Sequence, residues 1–331
     1  MTAFPEATGI RVSAVVNDLN QFGIPPAVLD EWSSRFRGGL NALQVSAVND
    51  YRILDAESLL VVAPTSSGKT FIGEMAATKA ILDGRKAVFL LPYRALVNEK
   101  YDLFVSIYGE KLRMRVIRCT GDHTDETDQF VRGKYEIAVL TYEMFLNLVL
   151  RNVGALNQIG LVVLDEAQFI TDPVRGIVVE LLLTYLLAAR QRGLVPQLIT
   201  LSAVIGHINH FDEWLACRTL VTAVRPVPLI EGVLDRSGQF QFVDVEGKEQ
   251  LAQLVPYHAI QMRREKPSVQ DVIVPLVKQL VRGTTEKIIV FRNRRGPAEG
   301  CAGYLASDVG LSPATDALSL LPGRDLLSAV G

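Results

Sequence analysis

Residues 58–70, from Ser58 to Thr70, read SLLVVAPTSSGKT. The apolar run Leu59–Ala63 has no helical period and stops at Pro64, as a short buried strand of a parallel sheet does. Thr65, Ser66 and Ser67 then lead through Gly68-Lys69-Thr70 into an amphipathic segment opening at Phe71. Strand, small-residue loop and helix start together make an anion site. Backbone N–H groups and the positive helix end converge on phosphate, Lys69 reaches the outer phosphates, and the Thr70 hydroxyl can ligate Mg²⁺. The strict phosphate-loop pattern opens on Gly where this chain has Ala63, so on the pattern alone an ordinary strand-to-helix turn remains open.

Around this stretch, strands and helices alternate. Strands are expected at Lys86–Leu91, Met114–Cys119, Glu136–Thr141, Gly160–Leu164 and Gln197–Ser202. Helices are expected to start near Lys69, Arg94, Asp125, Tyr142, Pro173 and His207. Upstream, a turn at Phe22–Pro26 enters a helix from about Ala27 to Phe36, closed by Gly38-Gly39, and a further helix carries Gln44. This alternation implies a parallel sheet covered by helices on both faces, with ligands at the carboxyl ends of its strands. Pro64, Pro92, Thr141, Asp165 and Ser202 all fall at those ends. After Thr222 the rhythm changes to a hairpin, Leu229–Leu234 and Gln239–Val245, then a helix at Val269–Val281, a strand at Lys287–Phe291 and a helix near Pro297–Ala306.

The 331 residues suffice for one large or two ordinary domains, and 49% hydrophobic with 21% charged residues excludes a disordered chain. A formal net charge of -2 announces no global basic field, although a local groove can still bind nucleic acid. Cys119, Cys217 and Cys301 have no metal-ligand spacing and read as free thiols of a reducing cytoplasm. The most apolar helix, Ile177–Ala189, is too short to span a bilayer and contains Glu180, so no membrane partner is expected.

The segment LVVLDEAQ, Leu161–Gln168, sets two carboxylates at the tip of a buried strand. Solvated acids at a helix start are one reading of it. With a phosphate loop on a partner strand, Asp165 can instead hold Mg²⁺, usually through water, and Glu166 can polarise an attacking water. The reaction would then be hydrolysis of a nucleoside triphosphate by positioning and charge neutralisation.

In chain order, APTSSGKT, PYRALVNEK, CTGD, TYE, LDEAQ, LSAV and IIVFRNRR resemble the motif series of superfamily 2 helicases. Within them the chain is similar to the DEAD/DEAH-box class, superkiller-like subgroup, which includes the archaeal and animal repair helicases. RPVPLIEGVL, Arg225–Leu234, is especially similar to their crossover into the second lobe. The resemblance runs from about Phe22 to Arg295. It implies an α/β fold: residues 1–40 leading to the Q motif, a RecA-like P-loop NTPase domain at 41–224, and a partial second RecA-like lobe at 225–331.

The resemblance also implies ATP and Mg²⁺ as cofactors. Single-stranded or forked nucleic acid, DNA favoured, would be the partner. Gln44 would read the adenine edge, and Thr65, Ser66, Ser67, Gly68, Lys69 and Thr70 would cradle the phosphates. Thr70 and Asp165 would hold the metal, and Lys69, Asp165, Glu166 and Gln168 would form the catalytic set. Pro92, Arg94, Ala95, Thr120, Gly121, Thr141 and Arg175 would touch the strand, while Ser202 and Ala203 would couple hydrolysis to movement. Gln168 stands where the subgroup usually has His, and Val204 replaces the customary Thr. The arginine-bearing final motifs of the second lobe have no counterpart before Gly331. An arginine finger contributes about 10³–10⁵ in turnover in related phosphoryl-transfer enzymes. The expectations are therefore an ATP-dependent helicase or translocase, with DNA favoured and an RNA helicase the alternative, or a truncated or split one that binds ATP and nucleic acid with little turnover alone, with a partner chain supplying the missing motifs.

Overall fold

The computed structural model of the chain describes residues 9–194, 196–203, 210–225, 228–244, 246–263, 265–283 and 288–309. The chain divides into two compact units, Met1–Val227 and Pro228–Gly331. In the first, a 3-10 helix at Val16–Phe22 precedes α1 (Pro26–Arg35), whose Pro26 occupies the first turn, where a missing N–H costs nothing. Helix α2 (Ala42–Asn49) starts from a reciprocal cap: the Asn41 side chain accepts from the Gln44 N–H, and the Gln44 side chain accepts from the Asn41 N–H.

Strand and helix then alternate: β1 (Leu59–Val62), α3 (Lys69–Leu82), β2 (Lys86–Leu91), α4 (Arg94–Phe104), β3 (Val116–Cys119), α5 (Thr127–Val131), β4 (Ile137–Thr141), α6 (Tyr142–Arg151), β5 (Ile159–Leu164), α7 (Gly176–Arg190), β6 (Gln197–Ser202), α8 (Phe211–Leu215) and β7 (Arg218–Val221). The sheet order is β3-β4-β2-β5-β6-β1-β7, with every pairing parallel. Side chains of β1 alternate between two cores. Leu59 and Val61 join Trp32, Phe71 and Phe104 on one face, and Leu60 and Val62 join Phe130, Phe145 and Leu183 on the other. Because all strands run the same way, their carboxyl ends share one edge of the sheet. Gly176 starts α7 against Ile170, whose carbonyl oxygen would lie 2.3 Å from an added Cβ, so no larger residue fits there.

The second unit carries an antiparallel sheet of order β10-β9-β8, built from β8 (Glu231–Leu234), β9 (Gln239–Val243) and β10 (Glu249–Gln253). Helices α9 (Gln270–Gly283) and α10 (Arg295–Val309) follow and pack on each other. The expected hairpin is present, with Asp235 capping its turn by accepting from the Ser237 and Gln239 N–H groups. The strand expected at 287–291 is not. Residues 288–291 pair with no described strand, and Ile289 and Phe291 are 76% and 87% exposed, so their β-branched and aromatic character has nothing to align against. Lys287, Val204, His207 and Val245 lie outside the described residues. Among those described, no helix is long and apolar enough to cross a membrane.

Candidate functional site

The loop between β1 and α3 is held open from below. Gly68 has φ 83° and Ser66 φ 63°, left-handed conformations of the kind from which backbone anion nests are built. Asn41 Nδ2 donates to the Ser67 carbonyl at 2.9 Å and Gln44 Nε2 to the Gly68 carbonyl at 3.2 Å. A Cβ at Gly68 would lie 2.5 Å from Gln44 Nε2, so only glycine admits this brace. Gln44 is thus buried beneath the loop, with its Oε1 and Nε2 each already engaged once and each able to form one more hydrogen bond. Asn41, which the sequence reading passed over, is its partner; the Asn-x-x-Gln spacing of a capping box was the available signal.

Lys69 folds over the same loop and donates to the carbonyls of Ala63 at 2.7 Å and Pro64 at 3.0 Å. Burial lowers its pKa, while the fields of Glu166 and Asp165 oppose that fall, so lysine and acids share one electrostatic neighbourhood. Ser67 Oγ is buried with no hydrogen-bond partner, a polar atom left over in a loop of converging donors. Thr65 and Ser66 are exposed on its rim, and Thr70 is half-buried one residue into α3. This donor set fits a polyphosphate. No three His, Cys, Asp or Glu cluster for a metal among the described residues. One acid and one hydroxyl suit Mg²⁺ arriving with phosphate oxygens and its own waters.

The acids directly follow β5, two strand spacings from β1, about 10 Å at the backbone, with β6 between. Burial first, and then the Glu166 carboxylate, hold Asp165 above the ordinary carboxylate range; Lys100 of α4, the Glu166 N–H and Lys69 pull it back. Glu166 has φ 57°, unusual for a residue other than glycine, and its N–H bonds Asp165 Oδ1 at 3.0 Å. Gln168 ties this turn to the intervening strand. Its Nε2 donates to Glu166 Oε2, while its Oε1 accepts from Ser202 Oγ at 3.0 Å and the Ala203 N–H at 3.3 Å. The Gln168 amide thus acts as donor and acceptor at once, without a titration near neutral pH.

On the same edge, Pro92, Arg94, Ala95, Gly121, Thr141 and Arg175 line one concavity of about 650 Å³. Arg94 reaches Asp122 at 2.7 Å with both side chains largely in solvent. Arg175 donates to the Pro92 carbonyl at 2.5 Å and its guanidinium lies 4.3 Å from the centre of the Tyr93 ring, which meets Phe169 edge-on. Thr120 is the one predicted member that does not face this space. It is fully buried, exchanging hydrogen bonds with His123 within its turn.

A parallel sheet whose first strand feeds a phosphate-type loop, with paired acids two strands away, defines a P-loop nucleotide-binding domain. The family model described as DEAD/DEAH box helicase matches residues 41–210, and the chain belongs to that family. It is 38% identical over 218 residues to the ATP-dependent DNA helicase Hel308 of Pyrobaculum calidifontis, covering 66% of this chain and 29% of that protein. To the Methanocella arvoryzae protein of the same name it is 30% identical over 302 residues, 89% of this chain and 37% of the relative. Among solved structures, the DUF1998 helicase MrfA bound to DNA and AMPPNP shares the fold, with TM-score 0.65 at 21% identity over 86% of this chain and 38% of that one. The chain therefore spans well under half the length of these relatives.

Proposed function

We propose that this chain is the motor part of an ATP-dependent helicase or translocase acting on single strands, DNA rather than RNA. The observation that carries the reading is the convergence of Lys69, Asp165 and Glu166 on one sheet edge, with Gln168 bonding Glu166 on one side and Ser202–Ala203 on the other. The loop N–H groups and the start of α3 would receive the triphosphate, and Lys69 would exchange its two carbonyl partners for the outer phosphate oxygens. Thr70 and Asp165 would hold Mg²⁺, which when bound neutralises charge on the phosphates. Glu166 would orient and polarise the attacking water, its carboxylate fixed by Gln168. Gln44, through its remaining hydrogen-bonding positions, would read the adenine edge while bracing the loop.

The strand would run across the concavity, touched at its phosphates by Arg94 and the backbone around Pro92, Ala95, Gly121 and Thr141, with Arg175 shaping the wall through Tyr93. Such contacts are sequence-tolerant and weaken with salt. DNA is favoured because relatives matched over 218 and 302 residues bear the name DNA helicase. The three cysteines are free thiols, in keeping with action in the cytoplasm. The test is ATP hydrolysis by the chain with no strand, single-stranded DNA and single-stranded RNA, together with unwinding of forked duplexes. Stimulation by DNA above RNA supports the reading; hydrolysis indifferent to any strand, and equal in Lys69→Ala, would overturn it.

A further inference from the structure

We propose that Tyr142 is a positioning residue that ties the strand-facing loop after β4 to the acidic turn after β5, an inference that rests on the reading above. Thr141, Glu143 and Met144 line the concavity, and Thr141 caps α6 by accepting from the Met144 N–H at 3.3 Å. Tyr142, between them in sequence, points the other way and is fully buried. Its hydroxyl donates to the carbonyl oxygen of Asp165 and lies 3.4 Å from that of Glu166. Strand β2 separates β4 from β5, so this side chain bridges strand ends about 10 Å apart at the backbone.

One of the two residues it grips has an unusual backbone. Glu166 is left-handed at φ 57°, a conformation that persists when its surroundings hold it. The Tyr142 hydroxyl fixes the carbonyls on this turn, Asp165 Oδ1 fixes the Glu166 N–H, and Gln168 fixes the Glu166 carboxylate. The hydroxyl is placed as a donor by its geometry, and burial, followed by the fields of Asp165, Glu166 and Glu143, raises the tyrosine pKa. A strand that shifts the Thr141–Glu143 loop therefore pulls on the backbone that aims both carboxylates. Residue 142 links strand contact to the acids through one atom that touches neither strand nor nucleotide.

Tyr142→Phe keeps the ring and its packing and deletes that atom. Amide hydrogen exchange of residues 165–169 is measured in wild type and variant, each with and without a single-stranded oligonucleotide, beside strand and Mg·ATP affinities. The expected result is exchange at 165–169 faster by about tenfold in the free variant, the change expected from one lost hydrogen bond. The oligonucleotide is expected to alter exchange there in wild type and not in the variant, with strand and nucleotide affinities within about twofold and exchange in β6 and α7 unchanged. If ATP turns over, the stimulated kcat falls and KM for ATP does not. Unchanged exchange at 165–169 in Tyr142→Phe, or a strand response kept in full, would overturn the inference while leaving the motor reading intact. A wild-type chain that bound neither strand nor nucleotide would overturn the motor reading itself, and the inference with it.

Discussion

Arg35→Met tests the buried anchor under the phosphate loop. Glu74 on α3 is 3% exposed and receives Arg35 Nη1 at 2.9 Å and the Tyr108 hydroxyl at 2.7 Å, while Trp32 Nε1 donates to that hydroxyl at 3.1 Å. Methionine keeps the length and apolar stem of the arginine and removes its charge, leaving the carboxylate buried with one donor. Breaking a buried pair costs about 3–5 kcal/mol, and the part-exposed guanidinium site lets water in, which places this loss near ~3 kcal/mol. For a unit of this size that is roughly 6–12 °C in Tm. Urea unfolding followed by tryptophan fluorescence is the assay, because Trp32 and Trp214 both lie in the first unit. Adding Glu74→Leu removes the stranded charge and should recover about 2 kcal/mol, the remainder being the Tyr108 hydroxyl left without its acceptor. A loss below ~1 kcal/mol in Arg35→Met, or no recovery in the double variant, would refute the claim that this pair anchors α3.

Gln168→Ala deletes its bonds to Glu166, Ser202 and the Ala203 N–H; strand-stimulated kcat should fall by about ten- to a hundredfold, with ATP affinity within about threefold. Asp165→Asn should raise Tm near neutral pH. Its raised folded-state pKa means that the charged form destabilises the fold above that pKa, a penalty relieved as pH falls through it, so the gain should vanish in acid. Thermal scans of both proteins across pH check this, and a gain that persisted in acid would contradict it. Arg94→Ala breaks an exposed pair with Asp122 that adds little to stability, so Tm should hold while the salt dependence of strand binding flattens by roughly 0.7 in log–log slope, the share of one phosphate contact.

The central strands were legible because burial on both faces demands continuous apolar runs bounded by turn signals, as at Lys86–Leu91 and Gln197–Ser202. Strands β7 and β10 were not. Arg218–Val221 is a short, partly exposed edge, and Glu249–Gln253 is mostly polar, so both are strands by virtue of their neighbours rather than their composition. The converse failure is IIVF at 288–291, strand-like in composition and unpaired among the described residues. At the site, motif spacing named Lys69, Asp165 and Glu166, but strand order put β6 between their two ends, which spacing does not encode. That intervening strand is why Gln168 can bond Ser202. Tyr142 is legible in the sequence only as the start of a helix, since the direction its hydroxyl takes is fixed by packing across β2.

Titration calorimetry with a non-hydrolysable ATP analogue tests most directly whether lysine and acids serve one nucleotide. The account predicts binding that depends on Mg²⁺, weakened by at least about tenfold in Lys69→Ala, and a Mg²⁺ dependence that disappears in Asp165→Asn. Equal affinity in wild type and Lys69→Ala, or an undiminished Mg²⁺ requirement in Asp165→Asn, would contradict it.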